Sequence, residues 1–153
     1  MVKLNFDASL SVGGWVGQGV TARDWRGEVL FAATHRVTAH WPPITAEGKA
    51  AAMAIKLAIS HGLVDIIIEG DSQVLINRLS KASTFFTDLD NILDDILASC
   101  SSFNSVSWCH VKRDENVVAH NLAHLTPFGI EQIWENHSPC KVSPYVMMDK
   151  LSI

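Results

Sequence analysis

Val64-Asp65-Ile66-Ile67-Ile68-Glu69-Gly70-Asp71-Ser72-Gln73 strings together a β-branched run, a glycine and an acid-hydroxyl pair. The isoleucines suit a buried central strand, and Asp71-Ser72 suits the opening of a helix running from about Gln73 to Leu79. A strand that feeds a helix in this way predicts an α/β crossover. Asp71 then stands at the carboxyl end of a strand, where open α/β sheets place their ligands.

Upstream, residues 2–8 alternate apolar and polar, so Val2, Leu4 and Phe6 share one face and Lys3, Asn5 and Asp7 the other. That alternation puts Asp7 outside the main core. Ser11-Val12-Gly13-Gly14 reads as a turn, residues 15–23 as a strand, Asp24-Trp25-Arg26-Gly27 as a hairpin turn and residues 28–38 as a third strand. The three make an antiparallel meander. Pro42-Pro43 closes a loop, and Thr45 is expected to cap a helix running to about His61, with Gly62 as its stop. Glu47, Ala51, Ala54 and Ala58 share one face at helical spacing, so the helix can lie close to the sheet while Glu47 projects from its first turn.

Downstream, a helix over 87–99 turns Leu89, Ile92, Leu93, Ile96 and Leu97 inward and sets Asp88, Asp90, Asp94 and Asp95 on a solvated face. Ser105 to Val111 is a last strand, and a helix follows from about Glu115 to Leu125. Pro127-Phe128-Gly129 ends regular structure, and the tail with Trp134, Pro139, Pro144 and Tyr145 is apolar enough to pack back on the domain. The expected fold is α/β. It has a mixed five-stranded sheet, three antiparallel strands followed by two parallel additions, flanked by helices. Residues 1–128 form the domain and residues 129–153 its tail.

The chain's 153 residues suit one domain with its own core, and 48% hydrophobic against 18% charged residues excludes disorder. No apolar run approaches the roughly 20 residues of a membrane helix, so no membrane partner is expected. Cys100, Cys109 and Cys140 are an odd number without C-x-x-C spacing, which points to free thiols in a reducing interior, nucleus or cytoplasm, with an organelle left open. A strand starting so close to Met1 is expected of a domain taken from a longer parent or fused protein. The formal charge of −4 argues against a protein that coats DNA by neutralising phosphates, but not against a nuclease, whose acidic ligands are offset by bound ions.

Three acids from three elements, Asp7, Glu47 and Asp71, are expected to converge. Carboxylates repel one another and cost several kcal/mol to desolvate, so gathering three makes physical sense around Mg²⁺ or Mn²⁺. The competing reading is three unrelated surface acids, with Asp71 as a helix cap. His120 and His124 stand at the i, i+4 spacing of a zinc protease, but Asn121 occupies the place of its general-base Glu. Trp15, Trp25, Trp41, Trp108 and Trp134 read as core or cover residues.

This order of elements resembles ribonuclease H of type 1 over about residues 2–126. The motifs are Asn5-Phe6-Asp7-Ala8-Ser9, Thr45-Ala46-Glu47, Glu69-Gly70-Asp71-Ser72-Gln73, and Trp108 to Arg113 followed by Asp114-Glu115-Asn116-Val117-Val118-Ala119-His120-Asn121-Leu122-Ala123. The Val-Ala-His-x-Leu-Ala ending looks like the ribonuclease H-like domains of plant genomes, many attached to retrotransposon-derived reverse transcriptases. The resemblance implies two-metal hydrolysis of the RNA strand of an RNA/DNA hybrid, with Asp7, Glu47 and Asp71 as three of four metal-binding acids. His120 falls on the fourth, and the resemblance makes it both catalytic and a ligand of the second ion. A neutral nitrogen there weakens the second site for Mg²⁺ and favours Mn²⁺. The resemblance also implies hybrid contacts from Ser9, Gln73 and Asn116; Lys49, Lys112 and Arg113 read either as phosphate anchors or as solvated surface cations. The stretch Lys112-Arg113-Asp114-Glu115 lacks the histidine that many members carry there. The alternative is a noncatalytic nucleic-acid- or protein-binding module that kept the fold after losing its fourth acid.

Overall fold

The computed structural model describes residues 1–81, 88–125 and 131–151. Strands β1 (Val2–Leu10), β2 (Trp15–Arg23) and β3 (Val29–Thr38) form the meander; helix α1 (Pro43–Ser60) leads into β4 (Asp65–Gly70). Helices α2 (Gln73–Lys81) and α3 (Asp88–Ser99), strand β5 (Ser105–His110), helix α4 (Val117–His124), strand β6 (Glu131–Glu135) and helix α5 (Ser143–Leu151) complete the chain. The sheet order is β5-β4-β1-β2-β3-β6, with β4 and β5 added parallel to β1 and all other pairs antiparallel.

The fold class is the expected one, but the sheet has six strands. The sixth, β6, pairs with β3 from Phe31 opposite Glu135 to His35 opposite Glu131. Its sequence, Glu-Gln-Ile-Trp-Glu, gives only a five-residue alternation with acids at both ends, too short a pattern to separate from a polar loop. The expected end of regular structure at Pro127-Phe128-Gly129, and with it the boundary at 128/129, lies outside the described residues.

Helix α1 starts at Pro43, two residues before the expected cap at Thr45, and Pro42 rather than a hydroxyl side chain precedes it. Proline fits the first helical position because its fixed φ is already helical and the missing N–H would have no partner there. Glu47 is therefore in the second turn.

Leu4, Phe6, Val20, Phe31, Ile66 and Ile68 meet Ala51, Ala54, Ile55 and Ala58 of α1 and Leu89, Leu93 and Ile96 of α3 in the main core. The alanine stripe lets α1 sit low on the sheet. Asp90 departs from the expected solvated face: it is buried and ion-paired with Arg78, tying α3 to α2. Asp94 and Asp95 are exposed as expected, and nothing is described of the Asp88 side chain. Trp25 is 80% exposed and so is neither core nor cover.

The opposite face of the sheet is covered too. Ala32, Val118, Leu122, Val142 and Val146 form a second core there, with Trp134 and Tyr145 packed against it. Lys3, Asn5 and Asp7 share that face of β1, and this is why Asn5 and Asp7 are buried rather than open to solvent. Period-two alternation separates the faces of a strand but cannot say that both are covered.

Candidate metal centre

The antiparallel register sets Asp7 opposite Gly19 and Ser9 opposite Gly17. A Cβ on Gly19 would lie 2.4 Å from the Ala119 carbonyl oxygen, and one on Gly17 2.1 Å from that of Ala123. The α4 backbone therefore rests directly on β2, which is possible only because these two positions carry no side chain. One turn apart on the helix, His120 then reaches Asp7 and His124 reaches Ser9. His120 Nδ1 donates to Asp7 Oδ2 at 2.9 Å, and Ser9 Oγ lies 3.0 Å from His124 Nε2. His124 Nδ1 donates to the His120 carbonyl at 2.9 Å, so its Nε2 accepts from Ser9 when the ring is neutral.

Asp7, Glu47 and Asp71 converge from β1, α1 and the end of β4. Each offers an oxygen within 4.8 Å of the others, and they are the one such metal-capable group among the described residues. Asp71 is not the cap of α2: Ser72 is, its Oγ and carbonyl accepting from the Leu75 and Ile76 amides at 3.4 and 3.0 Å. The aspartate is left for the site. His120 stands beside this group as the partner of Asp7 and is not within it.

The electrostatics are those of an acid cluster short of positive charge. Glu47 is pushed up to about 10, first by burial and then by the charges of Asp7 and Asp71. The Ala8 amide, donating to Glu47 Oε1 at 3.2 Å, opposes this. Asp71 is raised as well, by burial and Asp7, against Arg113. Arg113 Nε is 3.8 Å from Asp71 Oδ2 on a largely exposed side chain and offsets little. Glu47 Oε2 and Asp71 Oδ2 are buried without a hydrogen-bond partner. Buried carboxylate oxygens without hydrogen-bond donors next to other carboxylates are the donor set of a hard divalent cation, and the three residues fit one.

The remaining expected residues fall in different places. Gln73 is exposed at the start of α2, two residues from Asp71. Ser9 is almost buried against His124. Asn116 is 1% exposed, and its side chain donates to the Phe6 carbonyl at 2.9 Å and accepts from Asn5 Nδ2 at 3.0 Å. It joins α4 to the strand of Asp7 rather than reaching out. Lys49 lies over the Trp41 ring at 4.7 Å, and Lys112 is exposed. Gly17 and Gly19 have no place in the sequence reading, although a Gly-x-Gly pair on one strand face is the available signal for a close backbone approach.

A family described as reverse transcriptase-like matches residues 5–126. The chain belongs to that family. Among solved structures it is similar to RNase H1 from the halophilic archaeon Halobacterium salinarum NRC-1, at 25% identity and a TM-score of 0.74 over 80% of this chain and 93% of that one. LC11-RNase H1, solved in complex with an RNA/DNA hybrid, shares 18% identity with a TM-score of 0.71 over 80% and 93% of the two chains. Prototype foamy virus protease-reverse transcriptase shares 16% with a TM-score of 0.63, over 82% of this chain and 21% of that one. No curated protein matches. Among the described residues no helix is long and apolar enough to cross a membrane.

Proposed function

We propose that this reverse transcriptase-like domain is a metal-dependent endonuclease of ribonuclease H type, hydrolysing the RNA strand of RNA/DNA hybrids. The observation that carries the reading is the meeting of Asp7, Glu47 and Asp71, two of whose buried carboxylate oxygens have no hydrogen-bond partner. The fold likeness to RNase H1 proteins, one of them solved with a hybrid, supports it.

Asp7, Glu47 and Asp71 would hold Mg²⁺ or Mn²⁺. A bound ion supplies Lewis-acid stabilisation of phosphoryl charge and a more acidic water. The chain's own residues do the rest: Asn116 and Asn5 fix α4 to β1, and His120 holds Asp7. Gln73, beside Asp71 and open to solvent, would donate to minor-groove edges and 2′-hydroxyls, which distinguish RNA from DNA. Ser9 offers a hydroxyl on the other side, with His124. Asn116 acts from inside by positioning. Lys49, Lys112 and Arg113 are the cations available to phosphates. The Val118-Ala119-His120-Asn121-Leu122-Ala123 ending favours a plant retroelement-associated domain carried in a longer protein.

The test is cleavage of a labelled RNA/DNA hybrid in Mg²⁺ and in Mn²⁺. Cleavage by the wild-type chain and none by Asp71→Asn is expected; cleavage that survives the substitution would place the chemistry elsewhere. His120 in the fourth position favours a second reading, a noncatalytic hybrid-binding module. That reading wins if the wild type is inert in both metals while His120→Asp cuts. Cutting of strands without ribose would point instead to exonuclease or polynucleotidyl-transfer chemistry.

A further inference from the structure

We infer that the carboxylate cluster takes one divalent ion, not two, and that His120 is the positioning residue that orients Asp7 toward that ion. The inference rests on the metal-centre reading above and deepens it. Mg²⁺ holds its oxygens at about 2.0–2.1 Å, so opposed ligands of a single ion stand about 4 Å apart. The oxygens of Asp7, Glu47 and Asp71 all lie within 4.8 Å of one another, close enough for one ion to draw the three together. A second ion, about 3.5–4 Å from the first, needs ligands beyond these three acids, and the side chain standing beside Asp7 is His120. What stands there is an N–H. His120 Nδ1 lies 2.9 Å from Asp7 Oδ2, and an ionised carboxylate only accepts, so against it that ring nitrogen carries the hydrogen rather than a free lone pair.

The ring is held in that role from behind. His124 packs on it at 4.2 Å between centroids, and is itself tied at both nitrogens, to the His120 carbonyl and to Ser9. Swinging His120 to turn its other nitrogen toward an ion would break the Asp7 bond and disturb this contact. A donor that fixes a ligating carboxylate is the usual second partner of a metal ligand, and its loss typically costs 10–100-fold in affinity.

The experiment counts ions without using catalysis. Mn²⁺ is titrated into the metal-free chain, and the free ion is read by electron paramagnetic resonance. One ion per chain is expected in the wild type and two in His120→Asp, which supplies the missing anionic oxygens. His120→Ala should bind its ion at least about tenfold more weakly. His120→Asn, which keeps a donor for Asp7, should restore most of that affinity. Two ions in the wild type would overturn the inference while leaving the metal-dependent reading standing, and none would overturn both. A single ion in a folded His120→Asp, or an unweakened His120→Ala, would remove His120 from the role. Should His120→Ala fail to fold by circular dichroism, the wild-type count and the His120→Asn affinity still decide.

Discussion

Glu47 keeps its proton to about 10 because it is buried beside two other carboxylates, against an ordinary value of 4.5. Between those two values the folded protein binds a proton that the unfolded chain has released, so the metal-free protein loses stability as pH rises from about 4.5. By pH 7 the loss is on the order of 3 kcal/mol, at about 1.4 kcal/mol per unit. Asp71, shifted the same way, adds to it. Melting curves in a chelator should therefore fall from about pH 5 to about pH 8. Mg²⁺ should flatten the slope by binding the ionised cluster of the native state. Glu47→Gln should flatten it without metal, and a slope unchanged in that variant would mean another group carries it. The three acids were legible because each position follows from a local rule: strand alternation for Asp7, helical spacing for Glu47, the strand end for Asp71. The buried roles of Arg23, Asn5 and Asn116 were not, since a polar residue on a strand or in a loop reads as outward until a second layer is known to cover it.

At the scale of elements, the site depends on how low α4 sits on β2. Gly17 and Gly19 are the contact surface, and any side chain there meets helix backbone rather than a side chain that can turn aside. Gly19→Ala should cost about 1–3 kcal/mol in denaturant unfolding, the range for overpacking. It should also lift His120 from Asp7, so Mn²⁺ affinity and hybrid cleavage should fall by more than a stability-matched control such as Ile55→Val, which sits in the other core. Equal losses in the two variants would separate helix seating from the site. The meander, the crossover and α1 were readable because each is made by periodicity within one segment. The seating of α4 was not, because it depends on two glycines about a hundred residues earlier in the chain. The missed β6 is of the same kind: five residues become a strand because the edge of β3 offers unpaired backbone groups.

For the whole molecule, the segment from 131 to 151 lies beyond the family match at 126, yet it is bound into the same structure. Strand β6 extends the sheet, Val142 and Val146 close the second core, and Asp149 of α5 pairs with Arg23 of β2. Arg23 is 5% exposed and also donates to Asn5 Oδ1, at 3.2 Å. Asn5 in turn donates to Asn116 at the start of α4, so one polar chain runs from the C-terminal helix to the helix that carries His120. The net worth of the Arg23 to Asp149 pair is modest, because desolvating two charges cancels much of their attraction. Its disruption is another matter. Asp149→Ala leaves a buried guanidinium without its anion and should destabilise by about 3 kcal/mol, the low end for a broken buried pair because Asp149 retains some exposure. The double variant Arg23→Met with Asp149→Leu removes both charges, and should recover most of that loss while keeping the apolar contacts of α5. A double-mutant cycle closed with the single variants Arg23→Met and Asp149→Leu, read by denaturant unfolding, measures the coupling. Additive losses would mean that Arg23 is satisfied by Asn5 alone and that α5 is held by Val142 and Val146 without help from charge.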